Sequence, residues 1–206
     1  MDLESEHTTI QVFVIVLWIM MPAYLANTIA VLTGGNYPID QGKNYNDGNR
    51  ILGDGKTWSG LIGGTLGGII IGYLLFYFGD TIIWNISHNC PNDYNYCVSL
   101  IGEELWGENP LLIFFLLSFG ALFGDITASF IKRRSQLKRG DKSPLLDMFD
   151  FIGMALLLNF IFAHEWLMSW ILDGYVPLFT LLIATPILHR GVNIIGYKLG
   201  VKNEPW

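Results

Sequence analysis

Five long apolar stretches limit what this chain can fold into. They cover approximately residues 10–32, 58–79, 110–131, 149–170 and 175–195. Each is long enough to cross the hydrocarbon core of a bilayer, which takes roughly 20 apolar residues of α-helix. Only 15% of the 206 residues are charged and 51% are hydrophobic, which excludes an ordinary soluble domain. The sequence therefore predicts an all-α membrane protein, with five transmembrane helices in a single polytopic domain over residues 1–206.

The distribution of positive charge predicts how these helices are oriented. On an alternating five-span path, all 12 Lys and Arg residues fall on one side of the membrane, and the segments on the other side carry only acids. The basic side is cytoplasmic by the positive-inside rule. We therefore expect the N-terminus outside, the C-terminus in the cytoplasm, two functional cytoplasmic loops at about 33–57 and 132–147, and an outer loop at about 80–109.

The outer loop contains both cysteines, Cys90 and Cys97, and the triplet Asn85-Ile86-Ser87. The cysteines either form a disulfide in an oxidising exterior or stay unpaired. The triplet matches a glycosylation acceptor, but such triplets are common by chance. Both features stay open on sequence alone.

The second span carries glycine at every fourth position, at Gly60, Gly64, Gly68 and Gly72. Small residues at this spacing let helix backbones approach closely. We interpret the stripe as a packing surface inside the bundle, and the alternative is a smooth groove that admits a lipid chain.

An acid inside the third span is the first candidate for chemistry. Asp125 lies where an ionised carboxylate is unfavourable unless it is paired or bound to a cation. Ser129, Lys132 and Arg133 follow it at helical spacing on one stripe. This stripe leads to the predicted cytoplasmic face.

Two further acids follow the basic loop. Ser143-Pro144 is typical of a helix start, and Asp147 and Asp150 then share one helix face. Such acids can simply complement the helix dipole. Together with Asp125, and without a matching His or Cys cluster, they favour a hard cation with oxygen ligands, Mg²⁺ in preference to Zn²⁺.

The first cytoplasmic loop ends in Gly53-Asp54-Gly55-Lys56-Thr57. Glycine frees backbone N–H groups for phosphate, while Lys and Thr can reach phosphate oxygens and a metal. The full Walker spacing is absent, and an ordinary solvated turn is the alternative. Acids for metal and bases for phosphate together indicate a nucleotidyl or phosphoryl transferase.

Six stretches carry a family resemblance: Pro22–Asn27, the loop from Pro38 to Gly60, Gly120–Asp125, Ser129–Arg134, Lys138–Asp141 and Pro144–Phe151. In them the chain resembles the CDP-archaeol synthase family, the archaeal ether-lipid relatives of phosphatidate cytidylyltransferases. The His-Gly-Gly stretch and the Asp-Arg pair of the bacterial enzymes are missing. Met148 stands where the archaeal pattern usually has Gln.

This resemblance implies a CTP-dependent nucleotidyltransferase in the cell membrane with its active site on the cytoplasmic side. Its substrates would be CTP and the isoprenoid lipid 2,3-bis(geranylgeranyl)glycerol 1-phosphate, its products CDP-archaeol and pyrophosphate, and its cofactor Mg²⁺. No nucleic-acid partner is expected, and the oligomeric state stays open.

The resemblance and the chemistry together assign roles to individual residues. The metal would be held by Asp125, Asp147 and Asp150. The catalytic set adds the bases Lys56, Lys132 and Arg133. Nucleotide contacts would come from Asn27, Asp40, Lys43, Arg50, Lys56, Thr57, Ser129 and Asp141. We interpret Arg134, Lys138 and Arg139 as residues that attract anionic lipid.

Two other functions compete with this interpretation. The run from Asp47-Gly48 to Arg50 is similar to the start of the CDP-alcohol phosphotransferase motif, but the Asp-Gly-x-x-Ala-Arg spacing fails. That enzyme class would release CMP instead of pyrophosphate. A small transporter is the other alternative, although the inverted repeats frequent in transporters are not evident.

Overall fold

The fold is a bundle of apolar helices. The computed structural model describes residues 9–86, 103–137, 143–172, 174–198 and 200. Within these ranges there are seven helices and no strands. They are α1 (Thr9–Thr33), α2 (Trp58–Ile86), α3 (Glu103–Trp106), α4 (Pro110–Arg134), α5 (Pro144–Phe162), α6 (His164–Trp170) and α7 (Tyr175–Lys198). Five of them, α1, α2, α4, α5 and α7, are long and apolar enough to cross a membrane, which confirms the predicted five spans.

The start of α4 shows how local sequence sets a boundary. The side chain of Asn109 accepts a hydrogen bond from the Leu112 N–H at 3.3 Å, and Pro110 takes the first helical position, where its missing N–H costs nothing. Asparagine as the cap and proline as the first residue thus fix the third span where the sequence predicts it.

The fourth span differs from the prediction of one helix over 149–170. The helix α5 starts at Pro144 and ends at Phe162, and Ala163 leaves the helical conformation with φ −141°. The apolar segment Leu145–Phe162 is already long enough to span. As a result, Asp147 and Asp150 lie in the first two turns of a membrane-spanning helix.

The break after α5 allows the short helix α6 to pack against the far end of the bundle. Trp166 donates a hydrogen bond from Nε1 to the carbonyl of Leu105 at 2.9 Å, and its ring stacks on Trp106 with centroids 6.4 Å apart. Leu167 and Trp170 are buried beside them. This end of the bundle is therefore aromatic and apolar.

The glycine stripe of α2 is filled by protein. A Cβ at Gly64 would lie 2.7 Å from the carbonyl oxygen of Ala26 on α1, and one at Gly68 or Gly72 would overlap Ser118 or Phe114 on α4. The absent side chains let α2 pack tightly between the two helices. This agrees with the packing interpretation, and leaves no groove for lipid along the stripe.

Two glycines of α4 produce a second close approach, to α5. A Cβ at Gly120 would lie 2.7 Å from the Cα of Ala155, and one at Gly124 would overlap the carbonyl group of Asp150. Since α4 and α5 touch backbone to backbone here, Asp125 is brought next to Asp150. The crossing therefore positions two of the predicted metal ligands.

The predicted outer loop is partly helical. The helix α2 continues to Ile86, so Asn85 and Ile86 of the acceptor triplet belong to its last turn. Ser87, Cys90 and Cys97 lie outside the described residues. The disulfide and the use of the triplet therefore stay predictions.

Candidate active site

The loop between α1 and α2 is a folded lobe, residues 34–57, organised around a buried acid. The side chain of Asp40 is fully buried. Its Oδ1 accepts hydrogen bonds from Arg50 Nη2 at 2.8 Å and from the Gly42 N–H at 3.1 Å. Its Oδ2 accepts from Arg50 Nε at 3.2 Å and from the N–H groups of Leu52 and Gly53 at 3.0 and 2.9 Å. Five donors therefore satisfy one carboxylate.

These contacts keep Asp40 and Arg50 ionised. Burial by itself raises the pKa of Asp40, but the hydrogen bonds from Arg50 and from three backbone N–H groups hold that pKa well below its usual range. The same carboxylate raises the pKa of Arg50, helped by Asp54, whose Oδ1 is 2.8 Å from Nη2. Asp40 and Arg50, both expected to contact the nucleotide, are thus placed as the structural centre of the lobe.

The end of the lobe is fixed at the start of α2. Thr57 Oγ1 accepts hydrogen bonds from the N–H groups of Gly60 at 3.1 Å and Gly35 at 3.3 Å, so Thr57 caps this helix. The preceding residue, Lys56, is held by its backbone between Ile39 and Gly53. The Lys-Thr element predicted from sequence is therefore held in place by main-chain and side-chain hydrogen bonds.

The side chain of Lys56 links the lobe to α4. Its Nζ lies 2.6 Å from Oδ2 of Asp125. The two halves of the site, predicted separately on one side of the membrane, thus meet at one end of the bundle.

A second lysine and acid link α4 to α5. Lys132 Nζ forms an ion pair with Asp147 Oδ1, and Asp147 Oδ2 accepts a hydrogen bond from the Ser143 N–H at 3.0 Å. Ser143 occupies the predicted N-cap position, but its side chain makes no capping bond. Asp147 therefore caps its own helix and neutralises Lys132 at the same time.

Asp150 is the least satisfied acid of the group. Its Oδ1 accepts from the adjacent Phe151 N–H at 2.6 Å, and it forms no ion pair within the described part of the chain. Asp125, Lys56 and Lys132 are close enough to act on it electrostatically. Two neighbouring carboxylates inside spans repel each other, and a cation between them would relieve this repulsion.

The carboxylates of the site suit Mg²⁺ if two of them bind the ion and other ligands complete its coordination. In the described ranges no three His, Cys, Asp or Glu side chains are grouped so that they could hold a metal ion. Asp125 and Asp150 still offer a pair of hard oxygen ligands, and Mg²⁺ is usually held by one or two carboxylates together with water and substrate phosphates. Asp147, the third predicted ligand, is turned toward Lys132.

Several buried polar atoms at the site lack a hydrogen-bond partner among the described residues, including Nε and Nη1 of Arg134, although Nη1 lies within ion-pair distance of Asp47. Asn27 Oδ1 and Arg133 Nε are buried and make no hydrogen bond to the described residues. Asn27 lines a small pocket between α1, α2, the lobe and α4, together with Lys56, Thr57 and Asp125. Leaving such atoms unsatisfied is unfavourable, so both suit contact with a ligand.

The remaining predicted residues are placed as follows. Lys43 is exposed on the lobe, and Ser129 lies on α4 between Asp125 and Lys132. Asp141, Lys138 and Arg139 lie outside the described residues.

Sequence reasoning missed two contributors to the site. Gly124 lets Asp125 approach α5, and its signal was a glycine directly before the acid of the third span. Arg134, interpreted as a lipid-attracting residue, instead directs its guanidinium to the lobe, with Nη2 2.6 Å from the Arg50 carbonyl oxygen. No pattern in the sequence distinguishes it from Arg133.

Five spans with paired lysines and aspartates at one end define a class, the polytopic membrane proteins with a charged site built into the bundle. Comparisons with known proteins narrow this class. The family model described as "CarS-like: CDP-archaeol synthase" matches residues 9–206. The CDP-archaeol synthase of Picrophilus torridus is 43% identical over 92% of this chain and 95% of its own length. The one from Methanosarcina barkeri is 42% identical over 91% of this chain and all of its own.

A solved structure described as an intramembrane enzyme for archaeal membrane lipids biosynthesis matches with a TM-score of 0.59 and 30% identity, over 86% of this chain and 92% of that one. The chain belongs to the CDP-archaeol synthase family. It is thus a membrane-embedded enzyme of archaeal lipid biosynthesis and a CTP-dependent cytidylyltransferase, which sets aside the phosphotransferase and transporter hypotheses.

Proposed function

We propose that this enzyme transfers CMP from CTP to 2,3-bis(geranylgeranyl)glycerol 1-phosphate, giving CDP-archaeol and pyrophosphate in an Mg²⁺-dependent reaction. The observation that carries the proposal is the meeting of Lys56, Lys132, Asp125, Asp147 and Asp150 at one end of the spans. Asp125 lies nine residues before the end of α4, roughly 13 Å along the helix. A site at this depth suits a phosphate that is attached to chains in the bilayer.

The reaction exchanges one phosphorus–oxygen bond for another. An oxygen of the lipid phosphate attacks the α-phosphorus of CTP, and the bond from that phosphorus to the oxygen bridging it to the β-phosphorus breaks. Pyrophosphate leaves with the electron pair. Because the attacking and leaving oxygens are roughly in line, the protein contributes mainly positioning and neutralisation of charge.

Different residues would contribute to metal binding, phosphate binding and nucleotide binding. Asp125 and Asp150, with Asp147, would hold Mg²⁺, which when bound neutralises charge on the phosphates. Lys56 and Lys132 each have three N–H donors and can bind a phosphate oxygen beside or instead of their aspartate. The unpaired Nε of Arg133 gives it the same role. Asn27 and Thr57 line the pocket beside Asp125 and are proposed nucleotide contacts.

The site is proposed to face the cytoplasm, with the N-terminus outside and the C-terminus inside. In support, the lobe, the end of α4 and the start of α5 lie together and carry most of the described Lys and Arg residues. A maleimide reagent that cannot cross the membrane tests this orientation. It should label a Tyr45→Cys variant, made in a Cys90→Ser and Cys97→Ser background, only in inside-out vesicles, and labelling of intact cells by this variant would contradict the orientation.

The reaction is tested with pure protein in detergent. The protein is incubated with the lipid phosphate, Mg²⁺ and each of the four ribonucleoside triphosphates, and products are followed by ³¹P NMR and mass spectrometry. We expect CDP-lipid and pyrophosphate in equal amounts, with CTP strongly preferred and with no product after chelation of Mg²⁺. Release of CMP, or equal use of all four nucleotides, would contradict the proposal.

A further inference from the structure

Arg134 is held against the lobe by polar contacts. Its Nη2 lies 2.6 Å from the carbonyl oxygen of Arg50 and 3.4 Å from that of Asn49, and its Nη1 lies 3.2 Å from Oδ1 of Asp47. Guanidinium is suited to such contacts because its N–H donors form a rigid planar fork.

Aromatic rings complete this contact. The guanidinium carbon of Arg134 lies 4.7 Å from the ring centre of Tyr45 in the lobe and 5.1 Å from that of Phe130 on α4. The two rings meet edge to face, with centroids 5.9 Å apart. Only 20% of the Arg134 side chain is exposed, whereas an arginine that only attracts lipid headgroups would extend toward them.

A continuous set of bonds runs from Arg134 to Lys56. Arg134 binds the carbonyl of Arg50, whose guanidinium binds Asp40. Asp40 accepts from the Gly53 N–H, and the Gly53 carbonyl accepts from the Lys56 N–H at 3.3 Å. The position of Lys56 over Asp125 therefore depends on contacts that begin at Arg134.

The lobe is attached to α4 at two places, and they differ in what a substrate would do to them. Lys56 binds Asp125 inside the span, where phosphates and a cation would compete for both charges. Arg134 binds main-chain carbonyls and Asp47 at the end of the helix, away from this competition. When Lys56 moves to a phosphate, the contact of Arg134 still holds the lobe.

We propose that Arg134 is a positioning residue that keeps the lobe, and with it Lys56, over the active site, and so sets the affinity for the nucleotide. This inference rests on the proposed function. It assigns Arg134 to the enzyme's reaction instead of to attraction of lipid.

Steady-state kinetics with CTP provide the first test. In Arg134→Ala the KM for CTP should rise by about tenfold or more, the loss expected for charged hydrogen bonds, while kcat at saturating CTP changes by less than about threefold. Arg134→Lys should recover part of the affinity, because lysine keeps the charge but not the planar fork. The control is Arg139→Ala, which removes the same charge from the same basic segment and should leave KM unchanged.

Limited trypsin digestion of the ligand-free protein provides the second test. Cleavage after Lys43 and Arg50 should be faster in Arg134→Ala than in wild type, and Asp47→Asn, which leaves the bundle intact, should show a smaller increase.

Unchanged KM and unchanged cleavage in Arg134→Ala would overturn the inference, as would an equal rise of KM in Arg139→Ala. If wild type does not use CTP, the proposed function fails, and the cleavage rates still decide whether Arg134 holds the lobe.

Discussion

Two acids at the same end of the bundle are held in opposite ways. Asp40, in the lobe, accepts five hydrogen bonds, two of them from Arg50. Asp150, at the crossing of α4 and α5, accepts one from its neighbour's N–H and lies beside the charge of Asp125. A carboxylate whose hydrogen bonds are all made within the protein maintains structure. One with few such hydrogen bonds is available to bind a ligand.

The largest effect should come from the acids that α4 and α5 contribute to the site. Asp125→Asn and Asp147→Asn should each lower kcat by about 10²–10³-fold, because loss of charge stabilisation of this kind costs that much, while the protein still inserts into the membrane. Activity assays at saturating Mg²⁺, with membrane insertion checked by fractionation, measure this. Near-normal Mg²⁺-dependent turnover in either variant would remove that residue from the metal site.

The next effect should come from the glycine that makes the crossing possible. In Gly124→Ala the new Cβ would overlap the Asp150 carbonyl group, so α4 and α5 must separate. We expect a loss of about 1–3 kcal/mol in stability and roughly 10²-fold lower activity from misplaced carboxylates. The matched control is Gly153→Ala on α5, where a Cβ meets nothing within 4 Å. Equal effects in the two variants would show that the crossing does not position the site.

A smaller effect on turnover should follow from breaking the centre of the lobe. Asp40→Asn removes the charged acceptor of Arg50 and of the lobe's N–H groups, a change worth about 1–3 kcal/mol, but this loss is confined to the lobe. We expect faster trypsin cleavage after Arg50 and a higher KM for CTP, with kcat less affected than in Asp125→Asn. Asp54→Asn is the control, because Asp54 pairs with the same arginine while 64% exposed. A loss of kcat in Asp40→Asn as large as in Asp125→Asn would contradict the division between the two acids.

The smallest effect should be a loss of lobe stability at low pH. The folded-state pKa of Asp40 is below its unfolded value, so its contribution to stability is fully present above about pH 4 and is lost as pH falls toward the folded value. Hydrogen exchange of the Leu52 and Gly53 amides should therefore stay slow down to about pH 4. Loss of protection near neutral pH would mean that these amides are held by something other than the Asp40 carboxylate.

Hydropathy predicted the number of spans, whereas the orientation inferred from charge stays a prediction. Apolar length gave the five spans, and helical spacing placed Asp125 above Lys132 on one stripe, since both follow from rules of a single helix. After the break at Ala163, Trp166 makes a hydrogen bond to the distant Leu105, a contact that no local pattern contains. For this reason the predicted end of the fourth span was wrong.

The sequence named the charged residues that meet at this end of the bundle, but not which of them contact each other. Asp40 and Lys43 are similar as loop residues in the sequence, yet the fold buries the first and exposes the second. Arg133 and Arg134 are adjacent and chemically identical, and successive helical residues point in different directions, so only the position of the lobe decides which one binds it. These partners lie far apart in the chain and follow from tertiary packing.

The central claim is that Asp125 and Asp150 bring a divalent cation to phosphates bound by the neighbouring lysines. Binding of Mn²⁺, as a paramagnetic substitute for Mg²⁺, can be measured by electron paramagnetic resonance on pure protein with CTP present. We expect wild type and Asp54→Asn to bind the ion, and Asp125→Asn and Asp150→Asn to lose at least about tenfold in affinity. Wild-type affinity for Mn²⁺ in both Asp125→Asn and Asp150→Asn would contradict the claim.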